Sequence, residues 1–150
     1  MHWVTRCHVR VDPVACSWLI RRFVDPQAQI SIAPLSIAMA LAKDGAIPFD
    51  LPGAELGHCE GRCSFESILL KYHLTDFALH RMACIIHSAD FCKEQNPDPV
   101  ARGLSAIDTG FHLSNPCDDK SNLSLQIPIY DALYAWCCLE ADKYQDRIDD

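Results

Sequence analysis

The sequence predicts an α+β fold, mostly helical, with a small mixed β-α-β-α-β sheet at the N-terminal end packed on a larger helical body. Three observations predict it. Alternating apolar runs occur only in the first third of the chain, and helical stretches separate them, a pattern that favours parallel strand pairs. Beyond residue 64 the apolar residues recur mainly at helical spacing. Hydrophobic residues make up 49% and charged residues 22% of the 150 residues, spread along the length, so one domain covering 1–150 can build a proper core while two would be cramped.

Residues 3–11 alternate and read as a strand. Asp12-Pro13 then reads as a helix start, with Asp12 suited to the N-cap and Pro13 to the first helical position. Cys16, Leu19, Ile20 and Phe23 follow at helical spacing until Asp25-Pro26 stops the helix. Residues 28–33 alternate as a second strand, 35–43 form an alanine-rich helix ending near Gly45, and 46–51 form a short third strand before the Pro52-Gly53 turn. Residues 64–72 are amphipathic, with Phe65, Ile68, Leu69 and Tyr72 on one side. Residues 77–91 repeat Leu79, Met82, Ala83 and Ile86 as a longer helix. The polar stretch 92–100 reads as a loop, 101–113 as a helix, 115–122 as another loop, and 128–144 as a long final helix beginning at Pro128. Residues 146–150 read as a frayed end.

No apolar run approaches the roughly 20 residues needed to cross a bilayer, and the N-terminus lacks the apolar stretch of a signal peptide. The cytoplasm is therefore the expected location, without membrane contact. There are nine cysteines, an odd number with no CxxC pair, which suits free thiols in a reducing compartment. Cys84 and Cys137 lie in apolar helical contexts and are expected in the core. The net charge of −7 is uneven: residues 1–22 carry +3 and the remainder −10. An acidic chain makes a poor general nucleic-acid binder, so no direct nucleic-acid contact is expected. The arginines of the basic end, Arg6, Arg21 and Arg22 among them, suit a small anion instead. There is no P-loop, GxGxxG, GxSxG or HExxH, so nucleotide-driven chemistry and serine hydrolysis gain no support.

The most informative stretch is 55–65, Glu-Leu-Gly-His-Cys-Glu-Gly-Arg-Cys-Ser-Phe, a glycine-containing loop leading into a helix. His58 on this loop is a natural metal ligand or proton carrier. Cys63 stands where the helix begins, a place that favours a thiolate able to bind metal or meet an oxidant; the alternative is a buried residue anchoring the loop. Glu66, one turn on, can face the same space in a supporting role. His87 and Asp90 are three apart on a helix and share a face. With His58 they would make a two-His, one-carboxylate set suited to zinc or iron(II). Asp131, between apolar residues, needs a partner if buried, and Arg6 or Arg22 can supply it.

With these residues in place, the chain resembles the chromate-resistance protein family, in its ChrB-type C-terminal domain. The matching segments are Trp3-Val4-Thr5-Arg6, and Val11-Asp12 through Ala15-Cys16, Trp18-Leu19-Ile20, Arg22-Phe23 and Asp25-Pro26. They continue with Gly45-Ala46-Ile47-Pro48-Phe49-Asp50, Gly57-His58, Gly61, Cys63-Ser64-Phe65, Ala89-Asp90 and residues 130–137. The resemblance implies a cytoplasmic protein tied to chromate resistance, corresponding to the C-terminal module of relatives that carry a further domain linked to regulation. The chain departs from the pattern in the polar stretch 114–126 and in extra cysteines at 7, 59, 84, 92, 117 and 138.

The expected function is a chromate-resistance accessory or sensor protein. It would bind a divalent metal (zinc, iron or manganese) and an oxyanion such as chromate, with a nearby thiolate supplying selectivity through oxidation. The alternative is a metal- or thiol-dependent enzyme of oxidoreductase or hydrolase type acting in oxyanion detoxification, with Cys63 as the candidate catalytic group. The sequence is compatible with a homodimer.

Overall fold

The computed structural model describes residues 1–91 and 97–149. Cys92, the first part of the expected loop 92–100, and Asp150 lie outside the described residues. The elements are β1 (His2–Arg6), α1 (Val11–Leu19), a π-helical turn (Ile20–Val24), β2 (Gln29–Ala33), α2 (Leu35–Lys43), β3 (Ile47–Pro48), α3 (Ser64–Lys71), α4 (Phe77–Asp90), α5 (Pro99–Ser114) and α6 (Asp119–Asp149). The architecture is the expected one: a three-stranded sheet at the N-terminal end and a larger helical body. In detail the sheet is parallel throughout rather than mixed, in the order β2-β1-β3. Helical crossovers through α1 and α2 demand that direction.

The middle strand is buried, with Trp3, Val4 and Thr5 at 0% exposure. Trp3 joins the main core and Val4 packs with Ala38, Ala46 and Leu51 beneath α2, as strand alternation requires. The Trp3 indole N–H donates to Asp25 at 2.9 Å, and the terminal ammonium pairs with the same carboxylate at 2.7 Å. This lashes β1 to the stop signal after the π-helical turn. Helix α1 is buried along its whole length and packs against α3, α4, α5 and α6. It is the axle of the helical body, and a charged side chain on it needs internal partners.

Several boundaries differ from the expectation. β1 ends at Arg6 because the backbone turns away at His8, whose φ is 65°. Asp12 lies inside the first turn of α1, with Arg10 at the N-cap position, so its carboxylate is free to reach another helix. Helix α6 begins at Asp119, nine residues before Pro128, which lies inside it. Two buried polar side chains explain why the polar stretch is helical. Asn122 donates to the Asn115 carbonyl at 3.1 Å, and Gln126 donates to the buried Asp108 at 3.4 Å. The Asp119 carboxylate also accepts the backbone N–H groups of His8 and Val9 at 2.8 and 3.0 Å, fixing the start of α6 against the sheet. The same helix continues to Asp149, where a frayed end was expected. Cys137 is buried as anticipated, but Cys84 is exposed. The core face of α4 runs through Leu79, Met82, Ala83 and Ile86, and Cys84 falls outside it.

Candidate functional site

The loop between β3 and α3 is shaped by backbone demands specific to its sequence. Asp50 has φ 51° and donates its N–H to the Leu56 carbonyl at 3.0 Å, folding the loop back on itself. Gly57 lies so close to this fold that a Cβ would sit 2.7 Å from the Leu51 carbonyl oxygen. Glu60 and Gly61, at φ 51° and 79°, form the tight turn of a two-residue hairpin closed by Cys59 and Arg62. The result pins His58 between a tight approach and a tight turn, directly over the end of α1.

Four side chains meet there. His58 Nε2 lies 2.9 Å from Asp90 Oδ2, 3.4 Å from Asp12 Oδ2 and 3.8 Å from Asp50 Oδ1. The four residues come from the loop, the end of α4, the first turn of α1 and the residues just after β3. The Asp12 side chain is 1% exposed and that of Asp50 9%, against 47% for His58. Burial and the neighbouring Asp12 charge push Asp50 above its ordinary value, and the same two causes raise Asp90 to about 6. His58 is raised to about 9: the Asp12 hydrogen bond outweighs the cost of burial, and the charges of Asp90, Asp12 and Asp50 add to it. Asp90 is the nearest carboxylate, but buried Asp12 has the larger hold on the proton.

Asp12 does further work. Its oxygens accept the backbone N–H groups of Ser64 at 2.7 Å and Phe65 at 3.0 Å. Both belong to the first turn of α3, so a carboxylate from α1 caps a helix that begins 52 residues later. The Cys16 thiol also donates to it at 3.5 Å.

A second group lies beside the same helix end. Cys63, Glu66 and His87 place their donor atoms within 4.8 Å of one another, as Asp12, Asp50 and His58 do. Glu66 accepts the Cys63 backbone N–H at 2.8 Å and the His87 Nδ1–H at 2.8 Å, both through Oε2. Cys63 is fully buried, and burial together with the Asp12 and Glu66 charges drives its thiol well above the ordinary range. Burial fixes the Cys63 side chain at the start of α3, and Asp12 and Glu66 supply the acceptors for the backbone N–H groups of the same helix end. The ring of Phe91 touches both groups, 5.3 Å from the His58 ring and 4.4 Å from that of His87.

The expected residues are thus brought together in a different grouping. His58 and Asp90 meet, whereas His87 turns to Glu66 and Cys63. Asp12 and Asp50 were not among the expected ligands. Asp12 reads as a helix cap, and Asp50 has no local pattern of its own. Both stand in the segments that carry the family resemblance, and that was the signal available. Asp131 forms a two-point pair with Arg22, at 2.9 and 2.8 Å, and accepts the Trp18 indole N–H at 2.7 Å. It is 43% exposed rather than buried, and the Arg22 hydrogen bonds hold its carboxyl below the usual range. Arg22 is therefore engaged, and neither it nor Arg21 lines the cleft at His58. Arg6 does: it borders a cleft of about 350 Å³ with His8, Arg10, Asp50, His58 and Asp90. Arg10 in that cleft is paired with buried Asp108 at 2.7 Å. Among the described residues, no helix is long and apolar enough to cross a membrane.

Comparison with known proteins gives the chain a family. The family model described as ChrB, C-terminal domain, matches residues 3–137. Protein ChrB of Cupriavidus metallidurans (strain ATCC 43123 / DSM 2839 / NBRC 102507 / CH34) is 38% identical over 118 residues, covering 78% of this chain and 35% of the relative. The chain therefore spans about a third of the length of that relative. No solved structure matches.

Proposed function

The chain belongs to the ChrB C-terminal domain family, and from that premise we propose that it is a cytoplasmic chromate-resistance accessory or sensor module. In this reading it holds a divalent cation on Asp12, Asp50, His58 and Asp90 and receives a chromate-like oxyanion beside Arg6. One observation carries the reading: three carboxylates lie within 3.8 Å of a single imidazole nitrogen, and two of them are almost fully buried. Three carboxylates converging on one imidazole make a donor-rich pocket of the kind a divalent cation fits.

The donor set fits such a cation. One imidazole and three carboxylates form a hard, oxygen-rich set, which favours manganese or iron(II) over zinc. A bound dication would supply positive charge at the floor of the cleft, drawing in a dianion that Arg6 then engages by charge-assisted hydrogen bonds. The acidic character of the rest of the chain repels nucleic acid, so any control over DNA would pass through another part of a longer protein.

The test is isothermal titration calorimetry of wild type with Mn²⁺, which chromate does not oxidise, and then of the Mn²⁺-loaded protein with chromate and with sulfate. Arg6→Ala should keep the metal and weaken chromate binding about tenfold, the scale of one lost charge-assisted hydrogen bond of about 1.5 kcal/mol. His58→Ala should lose both. Chromate binding that is indifferent to metal and to Arg6 would contradict the proposal.

A further inference from the structure

We propose that Cys63, Glu66 and His87 form a second, separate divalent-cation site of softer, zinc-like character, beside a different cleft from the one that His58 lines. Four features support it. The three donor atoms are a sulfur, an oxygen and a nitrogen within 4.8 Å of one another, a mixed set that borderline-soft cations prefer. Thiolate and carboxylate together carry two negative charges, which one dication neutralises. Among the described residues, the hydrogen bonds that Glu66 accepts from Cys63 and His87 both fall on Oε2, so Oε1 can serve a further ligand.

Access is the fourth feature. Glu66 lines a cleft of about 480 Å³ with Arg62, Leu69, His80, Ala83 and Cys84, while Asp50, His58 and Asp90 line the cleft that holds Arg6. His87 and Asp90 leave α4 three residues apart toward different partners. The helix α3 N-terminus stands between the groups, capped on Ser64 and Phe65 by Asp12 and on Cys63 by Glu66. One carboxylate of each group thus caps the same helix end.

Loading the site displaces a proton and changes no oxidation state. The Cys63 thiol gives up its proton to solvent as the metal–sulfur bond forms. If Nδ1 of His87 becomes the ligand, the neutral ring carries its single N–H on Nε2 instead, a change of tautomer with no net loss of a proton.

Cobalt(II) titration under reducing, oxygen-free conditions tests the proposal, because cobalt bound to thiolate gives an intense near-ultraviolet charge-transfer band that oxygen and nitrogen donors do not. Wild type should bind two equivalents, with the band belonging to one. Cys63→Ala should abolish the band. His87→Ala, a change at a partly exposed side chain that spares the core, should weaken the affinity behind the band at least tenfold, and His58→Ala should leave the band intact. A wild-type spectrum without the band, a band retained in Cys63→Ala, or a band lost in His58→Ala would overturn it. The two proposals fail separately: an intact band without the second equivalent contradicts the His58 site alone, and one equivalent without the band contradicts this site alone.

Discussion

The two donor groups flank the same helix end and share one aromatic neighbour, but they are built differently. The His58 group gathers four elements onto a half-exposed imidazole, with its charge set by two carboxylates that water barely reaches. The Cys63 group is drawn from α3 and α4 alone, and its carboxylate serves first as a reciprocal cap for the helix that carries it. The difference teaches that long-range and local constraints produce different sites. Assembling Asp12, Asp50, His58 and Asp90 requires the whole N-terminal sheet and α1 to be in place. Cys63, Glu66 and His87 need only two adjacent helices.

The largest effect that would break this comparison falls on Asp12. Asp12→Ala removes the acceptor of two buried N–H groups on α3, and each orphaned donor costs about 1–3 kcal/mol. Urea unfolding of the metal-free protein should show a loss of roughly 3 kcal/mol. The cap from the other group gives a contrast: Glu66→Gln keeps an acceptor oxygen and should cost no more than about 1 kcal/mol. Equal losses would mean that the two carboxylates do the same structural work.

His58→Ala comes next and sharpens the contrast between binding and folding. In the metal-free protein the imidazolium offsets the carboxylates around it, so the variant should be less stable than wild type near pH 6 and nearly equal to it well above pH 9. Manganese affinity should fall by more than about 100-fold, since even supporting groups around a metal cost 10–100-fold when lost. Competition against a fluorescent chelator measures this.

The pH response should divide metal-free from metal-loaded protein. His58 holds its proton more tightly folded than unfolded, so its contribution to stability is complete below about 6.5 and disappears as pH rises through about 9. Asp90, raised to about 6 by burial and the Asp12 charge, adds a cost that is absent below 3.8 and complete above about 6. Both groups make the metal-free protein less stable with rising pH. Metal must displace the His58 proton, so its stabilising effect grows over the same range. Tm measured from pH 5 to 9 with and without Mn²⁺ should therefore show two curves that diverge upward in pH.

The smallest effect belongs to Arg22 and Asp131. Both are more than two-fifths exposed, so Asp131→Asn should cost at most about 1 kcal/mol and leave metal binding unchanged. A large loss of metal would place Asp131 in a supporting role that its contacts with Arg22 and Trp18 do not suggest.

Much of the fold was legible because hydrophobic periodicity is a local signal. The α2 boundaries and the start of α3 follow directly from alternation, helical spacing and turn residues. Helix α6 was cut short because Pro128 resembled a helix start, and because tertiary bonds from Asn122 and Gln126, invisible locally, hold the polar stretch in helical form. The site was half legible. His58 stood out through its loop and Asp90 through its spacing from His87, but pairing is a tertiary property. Helical spacing puts His87 and Asp90 on one face without saying that each would find a different partner. Asp12 reads as a cap because Asp before Pro does cap helices; only the packing of α1 against α3 reassigns it.

The central claim is that the carboxylates around His58 exist to hold a cation. Metal content by inductively coupled plasma mass spectrometry, on wild type and His58→Ala purified without chelator, tests it most directly. The account predicts near-stoichiometric manganese or iron in wild type that is lost in the variant, with any zinc on Cys63 retained in both. Wild type that carries no such metal and takes up none on addition would contradict it, and would leave the cluster as a proton-balanced ion network.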